Sequence, residues 1–296
     1  MMHDRTRFGT AAVGAAVLTL GLVACSGGGE ETASEDGSTL DRLRDAGVVT
    51  LAIADERPYS WVEDGEPRGA TIAMHEKIFA DMGIDEIEVV EVDWNSLIPG
   101  LNAGRWDAIS AGMSILPDRC AEAAFSDPEI MYTTTLVVPA GNPEGLSDLD
   151  SIAAAGDLTL AVQSGAIEEG YAEQLGITDT VQVDSAQAGI EVVQNGRADA
   201  FALTAVSLNW MTEGMNDVET TEAFVQEIDG VEQIGAGATV FRQEDTELLA
   251  AYNEALAEIT SDVDTYMSLV GEYGFTEENL PPADLTTEQL CAGDLS

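Results

Sequence analysis

Lysine is almost missing from this sequence. The 296 residues include 11 lysines and arginines against 55 acidic residues, a formal net charge of −44, and Lys77 is the single lysine. So large an excess of negative charge repels nucleic acids and anionic membrane surfaces, which excludes proteins that bind either by electrostatic attraction. It favours adaptation to high salt, where screening weakens self-repulsion, over a protein that is merely acidic and secreted.

Histidine and cysteine are scarce as well, with two and three copies. His3 lies in the N-terminal segment and His75 lies alone on a predicted helix, so no cluster is spaced to bind a metal. We expect no metal and no cofactor, and we interpret His75 as a surface residue.

Long hydrophobic runs are limited to one, residues 11–22, which follows Arg5 and Arg7 in the order typical of a secretory signal. The run is too short and too rich in glycine and alanine to span a bilayer comfortably. The string Leu22-Val23-Ala24-Cys25 that ends it resembles the lipobox of bacterial lipoproteins. A transmembrane anchor and an ordinary signal with a chance cysteine are the alternatives.

The lipobox resemblance implies that residues 1–24 are a signal peptide and that Cys25 carries lipid, which places the protein outside the cytoplasm on the cell membrane. Residues 25–39 are rich in glycine, serine and acids and are predicted to be a flexible tether. With Cys25 used for lipid, Cys120 and Cys291 remain as a pair in an oxidising compartment, and we expect a disulfide between them.

Short β-branched runs alternate with amphipathic stretches in two series, the pattern of βαβ units and of an α/β fold. We assign residues 40–138 to the first part of lobe 1, 139–235 to lobe 2, and 236–296 to a return to lobe 1 with a C-terminal tail. The predicted strands are 48–54, 87–92, 108–111, 134–139, 158–162, 181–183, 200–203 and 234–241. The predicted helices are 72–82, 97–103, 166–175, 189–194, 247–259 and 263–273.

A short repeat marks both lobes. Gly104-Arg105-Trp106-Asp107-Ala108-Ile109 and Gly196-Arg197-Ala198-Asp199-Ala200-Phe201 each follow an amphipathic stretch and precede a strand. We therefore expect each glycine to end a helix in the left-handed conformation.

The segments Gly112–Arg119 and Phe125–Pro128 contain a small-residue loop, then Pro-x-Arg, then Phe-Ser-x-Pro. They resemble the pocket motif of the extracellular solute-binding proteins of ABC importers, in the family that binds polar amino acids, and the resemblance covers about residues 40–290. It implies a two-lobed periplasmic-binding-protein fold of type II, with two hinge crossings. It also implies that Gly112 and Ser114 line the pocket and that Arg119 holds a carboxylate, although a surface salt bridge is the plain alternative for Arg119.

One departure from the family pattern concerns the ligand. Binders of ordinary α-amino acids usually have an aspartate for the α-ammonium where this chain has Thr204. Strings such as Ala52–Tyr59, Ile98–Arg105, Pro117–Cys120 and Gly141–Gly145 resemble the subgroup that binds ectoine and hydroxyectoine.

That subgroup implies that Glu56 pairs with the ligand's amidinium and that Tyr59 and Trp94 pack on its ring. Ser114 stands where a third aromatic is expected, and Trp61 is a candidate replacement. Ala166-Ile167 stands in place of a Gly-Thr anion loop, where the backbone N–H groups of Ser164, Gly165 and Ala166 are candidates for binding the carboxylate.

The first functional hypothesis is a lipid-anchored, monomeric receptor that closes over ectoine or hydroxyectoine and delivers it to an ABC permease. The binding alternative is a polar amino acid such as arginine, glutamine or glutamate. An enzyme on the same scaffold, such as a dehydratase of cyclic acids, is a third hypothesis, but no nucleophile and base pair supports it. We expect no catalytic residue.

Overall fold

The computed structural model describes residues 37–293. The predicted signal peptide, Cys25 and most of the tether lie outside the described residues. The first helix begins at Thr39, which the prediction assigned to the tether, and Ser38 caps it by accepting a hydrogen bond from the Asp41 amide. No helix in the range 37–293 is long and apolar enough to cross a membrane.

Helices and strands alternate through both halves of the described chain. The α-helices are α1 (Thr39–Ala46), α2 (Ala70–Asp81), α3 (Leu97–Asn102), α4 (Pro117–Cys120), α5 (Leu149–Ala155), α6 (Ile167–Gln174), α7 (Ala186–Gln194), α8 (Ala205–Thr212), α9 (Thr246–Thr260), α10 (Val263–Val270) and α11 (Thr287–Ala292). The strands are β1 (Val48–Ile53), β2 (Trp61–Glu63), β3 (Glu66–Arg68), β4 (Glu86–Glu91), β5 (Ala108–Ser114), β6 (Ala124–Phe125), β7 (Ile130–Tyr132), β8 (Thr134–Pro139), β9 (Leu160–Gln163), β10 (Thr180–Val183), β11 (Ala200–Thr204), β12 (Val218–Thr220), β13 (Glu227–Ile228), β14 (Val231–Glu232) and β15 (Gly235–Phe241). Every predicted element is present, with ends displaced by up to three residues.

The sheet of lobe 1 has the order β4-β1-β5-β15-β6, and β7 also pairs with β15. Strand β1 runs parallel to β4 and β5, whereas β15 runs antiparallel to β5. The parallel strands need helical crossovers, and these cover the sheet, so β5 and β15 are buried almost throughout.

The sheet of lobe 2 has the order β10-β9-β11-β8-β12, and its β8 corrects one predicted boundary. We placed most of Thr134–Pro139 in lobe 1, but this strand pairs antiparallel with β11 in the second sheet. The first crossing between the lobes therefore lies at Thr133. The chain returns just before β15, and Gly235 pairs with Tyr132, so the two crossings run side by side.

The repeated glycines adopt the conformation that the sequence predicts. Gly104 and Gly196 have φ angles of 68° and 65°, at the ends of α3 and α7. The aspartates of the two repeats also match, because Asp107 accepts from the Thr50 amide at 3.0 Å and Asp199 accepts from the Thr159 amide at 2.8 Å. In both lobes, therefore, the aspartate before a strand binds the backbone in or directly before the neighbouring parallel strand in the same way.

His75 is not a surface residue, so that prediction is wrong. Its side chain on α2 is fully buried, and Nε2 lies 2.6 Å from the hydroxyl of Thr239 on β15. Burial lowers the pKa of His75 to about 3, so the ring is neutral at physiological pH. The prediction was wrong because helix α9 packs on the face of α2 that carries His75 and places Tyr252 against the imidazole ring.

The C-terminal segment folds back on lobe 1. Helix α10 ends at Val270, and the last three residues of the predicted helix, Gly271–Tyr273, form a 3-10 turn. Further on, a disulfide joins Cys291 of α11 to Cys120 of α4, with Cα atoms 5.7 Å apart. Helix α11 is therefore bound covalently beside Arg119.

Candidate functional site

A small cavity lies between the two lobes, beside the two crossings. Seven of the predicted ligand-binding residues line it: Glu56, Tyr59, Trp94, Gly112, Ser114, Ala166 and Thr204. A larger open groove, lined by residues such as Met131, Trp210 and Tyr273, contains none of the predicted residues. In residues 37–293 no group of three histidines, cysteines or acids is arranged to hold a metal ion.

Glu56 connects the lobes. It follows the carboxyl end of β1, and only 8% of its surface is exposed. Its carboxylate accepts hydrogen bonds from two hydroxyls of lobe 2, those of Ser207 at 2.6 Å and Thr204 at 3.5 Å. Burial raises the pKa of Glu56 to about 7, because loss of water outweighs these two donors. A cationic group in the cavity would replace part of the missing hydration.

Tyr59 lies under the cavity with its ring held on three sides. Tyr132 and Phe275 meet it edge-on, at centroid distances of 6.4 and 5.5 Å. Gly112 has a φ of 56°, and a Cβ atom there would lie 2.5 Å from the Tyr59 ring. Glycine is required at this position for both reasons, and it gives the ring room to reach the cavity.

Arg119 reaches across the cleft from α4. Its Nη1 donates to the Ser114 carbonyl at 3.0 Å in lobe 1, and Nη2 donates to the Gly165 carbonyl at 2.7 Å in lobe 2. Trp94 lies beside Arg119, with the guanidinium 5.5 Å from the indole centroid. The indole N–H donates to the same Gly165 carbonyl at 3.2 Å.

The surface salt bridge considered for Arg119 is absent from the described part of the chain. Burial lowers the pKa of Arg119 from a value so high that the group remains charged. The guanidinium therefore has charge and N–H donors left for a carboxylate.

The loop before α6 does not match its prediction. The amides of Ser164 and Ala166 donate to the carbonyls of Val183 and Gln163. The Gly165 amide donates to the Glu169 carboxylate at 2.7 Å. All three N–H groups are used within the protein, and Glu169 occupies the position that a ligand carboxylate would need. Of the three residues, only Ala166 lines the cavity.

The aromatic wall also differs from its prediction. Trp61 packs against Trp210 and Tyr273, at centroid distances of 6.3 and 5.9 Å, and does not line the cavity. Tyr132 does line it, and its hydroxyl donates to Ser114 Oγ. Tyr132 supplies the aromatic surface that Ser114 lacks.

Two polar residues of the cavity were missed altogether. Glu168 lies in the first turn of α6 with 1% of its surface exposed, and burial raises its pKa to about 8. Gln163 ends β9, and its Oε1 is buried without a hydrogen-bond partner in residues 37–293. No sequence signal separates Glu168 from the other acids, because its burial depends on packing between the lobes.

Two α/β lobes, two adjacent crossings and a cavity lined by residues of both lobes define a two-lobed protein built to bind a small solute between the lobes. The chain belongs to the bacterial extracellular solute-binding proteins, family 3, whose model matches residues 49–275. This family acts in transport, and the two-lobed α/β fold that the sequence predicts is confirmed. The protein is an extracytoplasmic solute-binding protein of an amino-acid type ABC transporter.

Relatives that bind different ligands resemble the chain. The probable amino-acid ABC transporter periplasmic-binding protein y4tE of Sinorhizobium fredii is 32% identical over 86% of each chain. The arginine-binding extracellular protein ArtP of Bacillus subtilis is 26% identical over 83% of this chain and 89% of its own. Among solved structures, EhuB in complex with hydroxyectoine has a TM-score of 0.76 and 29% identity, over 86% of this chain and 97% of its own.

Proposed function

We propose that this protein captures ectoine or hydroxyectoine and delivers it to an ABC permease. The observation that carries the proposal is a cavity lined by the Glu56 carboxyl and the Tyr59 and Trp94 rings. The Arg119 guanidinium lies next to it, in contact with the lining residues Ser114 and Trp94. Such a set suits a compact zwitterion whose delocalised cation meets an acid and aromatic faces while its carboxylate meets the guanidinium. The similarity to EhuB, solved with hydroxyectoine, supports this ligand class.

A cationic amino acid is the second candidate, and Glu168 is the observation that favours it. The absence of an aspartate at Thr204 argues against an α-ammonium group. Glu168 adds a second buried carboxyl to the cavity, however, and a carboxylate there would be a partner for that ammonium. Arginine-binding relatives such as ArtP agree with this candidate.

Titration calorimetry with the purified protein separates the two candidates. We expect ectoine or hydroxyectoine to bind with a dissociation constant of about 1 µM, equivalent to about −8 kcal/mol, and L-arginine, L-glutamine and L-glutamate to bind far more weakly. Glu56→Gln should weaken ectoine binding roughly 10- to 100-fold, because it removes the charge opposite the amidinium while keeping the side-chain shape.

Asp55→Asn is the matched control for Glu56→Gln, since Asp55 is the exposed neighbour and loses the same charge. It should leave the affinity unchanged. Tight binding of L-arginine together with no heat from ectoine would contradict the proposed ligand.

We propose no catalysis in this cavity. The chain belongs to a family of transport solute-binding proteins, and this supports pure binding. A cyclic carboxylic acid recovered unchanged after incubation would agree with pure binding.

We also propose that the protein works as a monomer, held to the membrane by lipid on Cys25, and that its acidic surface is suited to high salt.

Replacing Cys25 by serine should release the protein from the membrane fraction into the medium or periplasm, because the lipid is then missing. Immunoblotting of cell fractions measures this, with Ser26→Ala as the control that stays on the membrane. Retention of the Cys25→Ser protein on the membrane would contradict lipid anchoring.

A further inference from the structure

The cavity contains more acid than the proposed ligand can neutralise. Glu56 and Glu168 both line it. Arg119 does not line it but contacts the lining residues Ser114 and Trp94, and no other arginine, lysine or histidine among the described residues is placed there. A zwitterion of ectoine type brings one positive and one negative group. If both carboxyls were ionised, the closed complex would bury an uncompensated negative charge, which is costly in a water-free site.

Fewer side-chain hydrogen-bond donors stabilise the ionised form of Glu168 than that of Glu56. Its single side-chain hydrogen-bond partner is the Thr134 hydroxyl at 3.5 Å, whereas Glu56 also receives the Ser207 hydroxyl at 2.6 Å. No arginine, lysine or histidine forms an ion pair with Glu168 within residues 37–293.

The groups that face Glu168 come from several elements. Glu56 disfavours its ionisation and Arg119 favours it. The phenols of Tyr59, Tyr132 and Tyr171 are neutral at physiological pH, because burial raises the pKa of each.

We propose that Glu168 is a ligand-binding residue that engages the solute as a neutral carboxylic acid and thereby selects a solute of zero net charge. The inference rests on the proposed function. Its O–H donates a hydrogen bond to an acceptor of the solute, while Glu56 remains the one ionised acid and pairs with the solute's cation. A cationic amino acid would need both acids ionised, so the proton on Glu168 acts against it.

The pH dependence of binding follows from this role. Burial raises the pKa of Glu168 to about 8. Affinity for a neutral zwitterion should therefore increase toward pH 7 as Glu56 becomes ionised, since burial raises the pKa of Glu56 to about 7. Above pH 8 it should fall, approaching about tenfold per pH unit, because binding then requires Glu168 to take up a proton that the free protein has lost. L-arginine, which needs both acids ionised, should instead bind more tightly as the pH rises through 8.

Two substitutions of Glu168 test the role at about pH 7 and about pH 9 by calorimetry with ectoine. Glu168→Gln keeps an N–H donor and is always neutral, so it should bind within about threefold of wild type at the lower pH and lose the alkaline decline. Glu168→Met has similar size and no donor, and it should bind at least roughly tenfold more weakly. Glu173→Gln, an exposed acid on the same helix, is the control that should change nothing.

Thermal unfolding of the ligand-free variants confirms folding and gives an independent measurement. A buried carboxyl with a raised pKa makes its full contribution to the free energy of unfolding below pH 4.5, the pKa of the group in the unfolded chain. This contribution is lost as the pH rises to about 8, the pKa in the folded protein. Glu168→Gln should therefore match the wild-type melting temperature at about pH 4 and exceed it at about pH 9.

Loss of ectoine binding in Glu168→Gln, or a wild-type affinity for ectoine that is higher at about pH 9 than at about pH 7, would overturn the neutral-acid role. Wild-type affinity in Glu168→Met would overturn contact with the solute. If the wild type binds L-arginine and not ectoine, the proposed solute is wrong and the selection for a solute of zero net charge is overturned with it. If the wild type binds ectoine and only Glu168→Gln loses it, the proposed solute stands and the neutral-acid role alone fails.

Discussion

Replacing Arg119 by methionine is expected to abolish solute binding at micromolar concentrations. Methionine keeps much of the side-chain length but removes the charge and the N–H donors that face the cleft. Two hydrogen bonds to a charged group contribute about 1.5 to 3 kcal/mol each, so we expect the affinity to fall roughly 100-fold or more. The bond from Arg119 to the Gly165 carbonyl, which joins the lobes, is lost as well. Titration calorimetry with ectoine measures the change.

Arg119→Lys tests whether a positive charge alone is enough to hold the solute, and Arg197→Met is the control. Arg119→Lys keeps the positive charge but loses the planar fork, so its affinity should lie between those of wild type and Arg119→Met. Arg197→Met removes an exposed arginine of lobe 2 and should bind as wild type does. Binding by Arg119→Met within about threefold of wild type would contradict a direct role of Arg119 in holding the solute.

Removing the disulfide is expected to cause the largest loss of stability. The bond joins residues separated by 171 positions, so its absence frees a very long loop in the unfolded chain. Long closed loops contribute most, and removing a native disulfide typically costs about 2 to 5 kcal/mol of the free energy of unfolding. Urea unfolding of the double variant Cys120→Ser with Cys291→Ser, compared with oxidised wild type, measures this difference.

Reducing agent provides the control for the disulfide. The reduced wild type should unfold at the same urea concentration as the double variant, and the variant should not respond to the reagent. Because Cys120 follows Arg119 in the four-residue helix α4, we expect a smaller accompanying loss of affinity, below about tenfold. An unfolding midpoint equal to that of the oxidised wild type would show that the bond does not stabilise the fold.

Local sequence pattern was sufficient to predict most strands of the two large sheets and six of the helices, because their apolar faces pack on one sheet or the other. Helices α5 and α8 and the edge strand β12 were not predicted. Gly104 and Gly196 adopt the expected positive φ since helix ends favour glycine there. The motif that ends at Arg119 predicted the arginine now found across the cleft.

Assignments that depend on the partner strand or the opposite lobe could not be made in this way. Strand β8 has the same local pattern in either sheet, and its pairing with β11 places it in lobe 2. The hydrogen bond from the Gly165 amide to Glu169 is different, because it is a local contact over four residues that the prediction overlooked. Trp61 and Tyr132 are both aromatic residues of lobe 1, and packing alone brings Tyr132 and not Trp61 to the cavity.

The sequence by itself determined the two-lobed α/β organisation, the charge that excludes nucleic acids, and most of the residues that line the cleft. The tertiary structure decided which polar side chains lose their water. His75 and Glu168 are ordinary polar residues on helices in the sequence, yet both are buried in the folded protein. Their altered pKa values arise from burial by elements distant along the chain, and no local pattern contains that information.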